Sequence, residues 1–179
     1  MVMPDFGAFE DSAFFGKFTN KIVHLLLKKV LDPEQILIQR DPLVMSDDSG
    51  HNIYADFAID NFGFLEVTTT KPESKKRRKL LYLSTKGMTW LVARSNLVQH
   101  WQKEIELDFK YDTLGRPENA ASFNLKVVNL EQLIDELRSR LKVSGATYEQ
   151  AKRCLQEPLL MRDLAQPLIE EWLDMFVLQ

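Results

Sequence analysis

Cysteine occurs once in this chain, as Cys154, and histidine three times, as His24, His51 and His100. A single cysteine closes no internal disulfide, which excludes a disulfide framework and leads us to expect a reducing, cytoplasmic setting. Cys154 lies in a helical pattern without a neighbouring histidine and reads as a packing residue. The histidines are scattered and lack the spacing of a zinc site. Gly-rich phosphate loops, a Walker lysine and a Gly-x-Ser-x-Gly elbow are all missing. Long apolar runs are missing too. The stretch 22–27 is broken by His24 and followed by Lys28 and Lys29, far short of a membrane span. The opening residues, MVMPDFGAFED, carry no cationic leader region, so no secretory signal is expected. Neither sign of charge dominates. With 23 basic and 26 acidic residues the net charge is −3, so any nucleic-acid role has to rest on local clustering.

What is present suits one domain. The 179 residues are 45% hydrophobic, enough for a sizeable core. Phe14, Phe15, Phe18, Ile22, Leu25, Leu26 and Val30 recur at helical spacing over 12–30, and Asp32-Pro33 stops that helix. The polar cluster 46–52 predicts a hairpin turn between two strand-like arms. In the second arm Ile53, Ala55, Phe57 and Ile59 share one face; Tyr54, Asp56, Ala58 and Asp60 share the other. Asn61 and Gly63 permit a tight turn into a third strand, 64–70, rich in β-branched residues. Pro72 and Ser74 open a helix that Gly87 ends. A buried strand is expected over 88–93. A half-exposed strand is expected from the alternation of Ile105, Leu107, Phe109 and Tyr111, and another strand at ASFNLKVV. From Leu130 onward the pattern is helical: about 130–142, 147–156, and a last helix after Pro158 containing Leu164, Leu168, Trp172, Leu173 and Phe176. The expected plan is α/β with a mixed sheet flanked by helices. An α/β domain at 1–128 carries a helical extension at 129–179 that packs on the core or on a partner.

Two acids stand out on the apolar strands: Asp56 on one and Glu66 on the next, ten residues on. On adjacent antiparallel strands they project from one face. Burying two carboxylates together is costly unless a lysine, an arginine or a divalent cation joins them. The run 71–79 follows at once, with Lys71, Lys75, Lys76, Arg77, Arg78 and Lys79 against Glu73. It is either a phosphate-contacting patch or a solvated helix face. Asp56 and Asp60 have a plainer reading as solvated strand residues. Glu66 has one as the partner of a structural arginine, and Glu10 as a first-turn acid favoured by the helix dipole.

The motifs ADF at 55–57 and FLEVT at 64–68, with the basic stretch KKRRKLLYLSTKGMTWLVAR after them, resemble the PD-(D/E)xK nuclease superfamily. More distantly, they resemble its transposon endonuclease subunits and Holliday-junction resolvases. The resemblance spans about residues 8–95 and implies a restriction-endonuclease-like fold. It implies that Asp56, Glu66 and, from the first helix, Glu10 hold Mg²⁺ or Mn²⁺ for hydrolysis of DNA phosphodiesters. Ala55 replaces the usual proline. Thr68 stands where the family has its lysine, which orients the attacking water and stabilises charge on the phosphate. Lys75 or Lys76 then becomes the candidate replacement, Lys71 facing the other way on an ideal strand. The basic run 71–79 becomes the DNA contact, and a homodimer suits the cutting of two strands. Without a replacement lysine the alternative is a degenerate, non-catalytic subunit that binds DNA or a protein. A third reading is a structural assembly subunit acting through the helical tail, where Trp172, Met175 and Phe176 offer a partner surface.

Overall fold

The computed structural model of the chain describes residues 13–143, 145–155 and 172–178. Glu10, the side chain of Cys154 and the stretch 156–171 lie outside the described residues. The chain runs α1 (Ala13–Val30), β1 (Ile38–Arg40), β2 (Leu43–Ser46), β3 (Asn52–Tyr54), β4 (Phe57–Ile59), β5 (Gly63–Val67), α2 (Ser74–Ser84), β6 (Thr89–Val92), α3 (Val98–Tyr111), β7 (Leu125–Val128), α4 (Leu130–Leu141) and α5 (Tyr148–Leu155). A π-helical segment, Leu173–Leu178, comes last.

Five strands form one mixed sheet in the order β1-β4-β5-β6-β7, and β2 with β3 forms a separate hairpin. The pairs β1–β4 and β4–β5 are antiparallel; β5–β6 and β6–β7 are parallel. Parallel neighbours need crossovers, and helices on the faces supply them. Trp90 and Val92 of β6 therefore enter the larger core with Ile22, Leu26 and Val30 of α1 and Leu133 and Ile134 of α4. Leu91 and Ala93 point the other way, onto Leu80, Trp101 and Ile105 of α2 and α3. The result is a mixed α/β sandwich with helices at the C-terminal end. No helix among the described residues is long and apolar enough to cross a membrane.

Two expectations are corrected. The alternation of Ile105, Leu107, Phe109 and Tyr111 belongs to a helix, not a strand. Its buried positions are Val98, Trp101, Ile105 and Asp108, at helical spacing, while Leu107 and Tyr111 are exposed. Topology decides this case, because β6 and β7 run parallel and the chain between them must cross back. The second hairpin arm is also not one continuous strand. It breaks at Asp56: Ile53 and Ala55 pack with Tyr82 and Leu83 of α2, whereas Phe57 and Ile59 enter the larger core.

The turn into β5 is sterically fixed. Gly63 has φ +133, and a Cβ there would collide with the Met88 carbonyl. That carbonyl accepts the Phe64 N–H at 2.9 Å, which sets the start of the β5–β6 pairing. At the chain's far end Trp172, Leu173 and Phe176 join the larger core, and the Trp172 indole N–H donates to Thr19 Oγ1 of α1 at 2.9 Å.

Candidate functional site

Antiparallel register puts Asp56 opposite Glu66. Phe57 pairs with Leu65, so Asp56 comes beside Glu66 at the end of that ladder, Glu66 met from α2 and Asp56 from α1. The Asp56 N–H is shared between the Leu65 carbonyl at 3.1 Å and Glu66 Oε1 at 3.0 Å. In return Asp56 Oδ2 accepts the Val67 N–H at 2.7 Å. Side chains thus replace backbone groups in the ladder where the strand breaks. Asn20 of α1 reaches over and donates to Asp56 Oδ1 at 3.2 Å. Asp56 remains partly open to solvent, whereas Glu66 is fully buried.

Two cations meet the buried carboxylate. Lys76 and Lys79 stand three residues apart on α2 and so share a face. Lys76 Nζ lies 2.5 Å from Glu66 Oε2, and Lys79 Nζ 2.8 Å from Oε1. The Lys76 ammonium is the one partner of Oε2 among the described residues, and it also donates to the Val67 carbonyl at 3.3 Å. Burial alone would lower the Lys76 pKa. The charges of Glu66, then Asp56, outweigh it and raise the pKa above the ordinary lysine value, so the ammonium stays protonated. Two carboxylates and two ammoniums leave the cluster formally neutral.

Thr68 is buried, and its hydroxyl accepts the Thr70 N–H at 3.4 Å. Among the described residues it makes no contact with either acid. Lys75 and Lys71 are exposed and do not reach the acids. Arg77 is diverted: its guanidinium makes a two-point bond to the buried Asp108, at 2.8 and 2.7 Å, with Glu104 at 3.7 Å. Thr113 Oγ1 donates to the same Asp108 carboxylate at 2.7 Å. Of the six basic residues in 71–79, Lys76, Arg77 and Lys79 are therefore engaged internally. Lys71, Lys75 and Arg78 present their charge to solvent. Glu66 is paired by lysines and not by an arginine.

Comparison with known proteins gives no match to a family model, a curated protein or a solved structure.

A groove of about 710 Å³ opens between the β2–β3 hairpin and α2; Asp56 and Glu66 do not line it, but the two lysines that hold Glu66 do. Lys75, Lys76, Arg78 and Lys79 line one wall, and Asn52, Ile53 and Tyr54 the other. The hairpin is pinned to α2 by the Tyr82 hydroxyl, which donates to Asp48 Oδ2 at 2.9 Å, and by the apolar cluster of Ile53, Ala55, Tyr82 and Leu83.

Asn20, Tyr54 and Asp108 did not stand out in the sequence. Asn20 sits on a helix whose apolar stripe masks single polar positions. Tyr54 stands two residues before Asp56 in the alternating sequence pattern, and that was the available signal, although the strand breaks between them.

The donor set suits a hard divalent cation in part. Two carboxylates are the usual protein share of a Mg²⁺ site, and among the described residues Glu66 Oε2 has no hydrogen-bond donor besides an ammonium. No cluster of three or more His, Cys, Asp or Glu exists among the described residues. A cation between Asp56 and Glu66 would have to displace one lysine, and Lys79, the more exposed at 29%, is the one with room to withdraw.

Proposed function

We propose that the chain is a metal-dependent DNA endonuclease in which Lys76 supplies the charge that Thr68 lacks. The observation that carries this reading is the Lys76 ammonium 2.5 Å from Glu66 Oε2, next to Asp56. A cation delivered from the helix after the Glu66 strand would take the part of a lysine two residues beyond Glu66. The strand order adds support: an antiparallel pair carrying the acids joins a parallel strand through α2, the arrangement expected of a restriction-endonuclease-like core.

Asp56 and Glu66 would hold Mg²⁺ or Mn²⁺, which when bound polarises the phosphodiester and lowers the pKa of the attacking water. Asn20 and the Val67 N–H fix the Asp56 carboxylate in place. Lys76, held protonated, sets positive charge where the phosphate gains negative charge during attack. Lys75 and Arg78 contact neighbouring phosphates. A homodimer would bring two such sites to a duplex, in the cytoplasm.

The test is cleavage of supercoiled and branched DNA with Mg²⁺ or Mn²⁺. Asp56→Ala and Glu66→Ala should abolish it, and Lys76→Ala should lower it about 10²–10³-fold. Cleavage that persists in both acid variants defeats the reading.

One observation favours a second reading. Lys79 adds a second ammonium to Glu66 and neutralises the pair, as suits a non-catalytic subunit that binds DNA or a protein partner. It predicts salt-sensitive binding without cleavage at any divalent ion concentration.

A further inference from the structure

We infer that the groove between the β2–β3 hairpin and α2 grips a single-stranded nucleic-acid segment, with Tyr54 stacking on an unpaired base. The inference rests on the reading that Asp56 and Glu66 face a phosphodiester, and it names the form of strand presented to them.

Tyr54 is 45% exposed on a hairpin otherwise tied down at both ends. It ends β3, two residues before Asp56, at the break that separates the hairpin from β4. Across the groove, Lys75 and Arg78 stand three apart on α2 with their charge unclaimed by Glu66. The groove therefore has an aromatic wall and a cationic wall, the two components of sequence-tolerant single-strand binding. Its volume of about 710 Å³ is that of a small-ligand site. Base faces are hidden in a duplex, so a stacking tyrosine is useful only to a strand that is unpaired there.

The two acids on the groove wall do not cancel the cationic wall. Asp47 is committed to the hairpin turn, where its Oδ1 accepts the Ser49 and His51 N–H groups, each at 2.9 Å. Those bonds, the His51 one first, hold its pKa below the ordinary aspartate value. Glu73 sits exposed before the first turn of α2. The wall is rigid because Tyr82 holds Asp48 and because Ile53 and Ala55 pack on Leu83. The backbone that carries Tyr54 is thus held before a base arrives, which lowers the entropic cost of binding.

The test is fluorescence anisotropy in EDTA, which separates binding from hydrolysis, with a labelled single-stranded oligonucleotide and a blunt duplex of the same composition. The single strand should bind more tightly. Tyr54→Ala should weaken it by roughly 5- to 150-fold, the equivalent of 1–3 kcal/mol for one stacked base, while Tyr54→Phe keeps most of the affinity. Lys75→Gln and Arg78→Gln should each reduce the salt slope by about 0.7. Equal binding of duplex and single strand, or a Tyr54→Ala variant of unchanged affinity, overturns the inference. Cleavage in Mg²⁺ is read separately. A cutting enzyme indifferent to Tyr54 defeats the groove alone. A non-cutting protein with the expected binding pattern defeats the hydrolase alone.

Discussion

Glu66 has no route to water, whereas both its cationic partners do, and the consequences of mutation should be lopsided. Glu66 is 0% exposed; the Lys76 and Lys79 side chains are 19% and 29% exposed. Deleting the acid frees two ammoniums that can swing outward on flexible stems. Deleting both ammoniums strands a carboxylate beside Asp56. Truncating one side of a buried pair costs roughly 3–5 kcal/mol. The double variant Lys76→Met with Lys79→Met should therefore lose about that much. Its urea midpoint should fall by about 1 M or more, given m-values of about 1–3 kcal/mol/M. Glu66→Gln alone should lose less, since the amide oxygen still accepts the Asp56 N–H. Adding Glu66→Gln to the lysine pair should restore most of the deficit, because the stranded charge is then gone. Equilibrium urea unfolding of the four proteins decides the matter. A double-lysine variant within about 1 kcal/mol of the parent refutes the reasoning, as does a triple variant no more stable than the double.

The raised Lys76 pKa makes its contribution to stability fully present below the unfolded lysine value of about 10.4 and lost as pH rises through the folded value. Thermal unfolding from pH 9 upward should show a decline that is shallower in Lys76→Met. Lys79→Met should tighten Mn²⁺ binding by up to about fivefold, the worth of one partly exposed ion pair, in a titration calorimeter; unchanged or weaker binding means that Lys79 does not compete with the cation. Arg77→Ala leaves the buried Asp108 with Thr113 as its remaining side-chain partner. It should cost roughly 3–5 kcal/mol, a drop of about 6–20 °C in Tm for a chain of this size. The salt slope of DNA binding should not move; a smaller slope would return Arg77 to the phosphate-binding set.

Local periodicity made much of this architecture readable. The apolar spacing of 13–30, the turn residues 46–52 and the glycine at 63 each act over a few residues, and their elements stand where those signals put them. Antiparallel geometry with a short turn also brings the Asp56 backbone to Glu66, whose Oε1 accepts its N–H. Non-local constraints were not readable. Ile105, Leu107, Phe109 and Tyr111 alternate, yet the parallel run of β7 beside β6 forces a helix there. The diversion of Arg77 depends on Asp108, 31 residues away, on that same misread segment. Asn20, 36 residues before Asp56, is likewise joined to it by the fold alone. Among six similar basic residues, helical phase on α2 chose Lys76 and Lys79 for Glu66.

The bond from Trp172 to Thr19 links residues 153 positions apart. On the ribosome, where synthesis proceeds at about 5–20 residues per second, the first helix must wait until Trp172 has been made before this contact exists. A nascent chain stalled short of residue 172 should keep that face of the helix uncovered and hold a chaperone there. Truncation before Trp172 should accordingly be felt at Thr19, on the first helix.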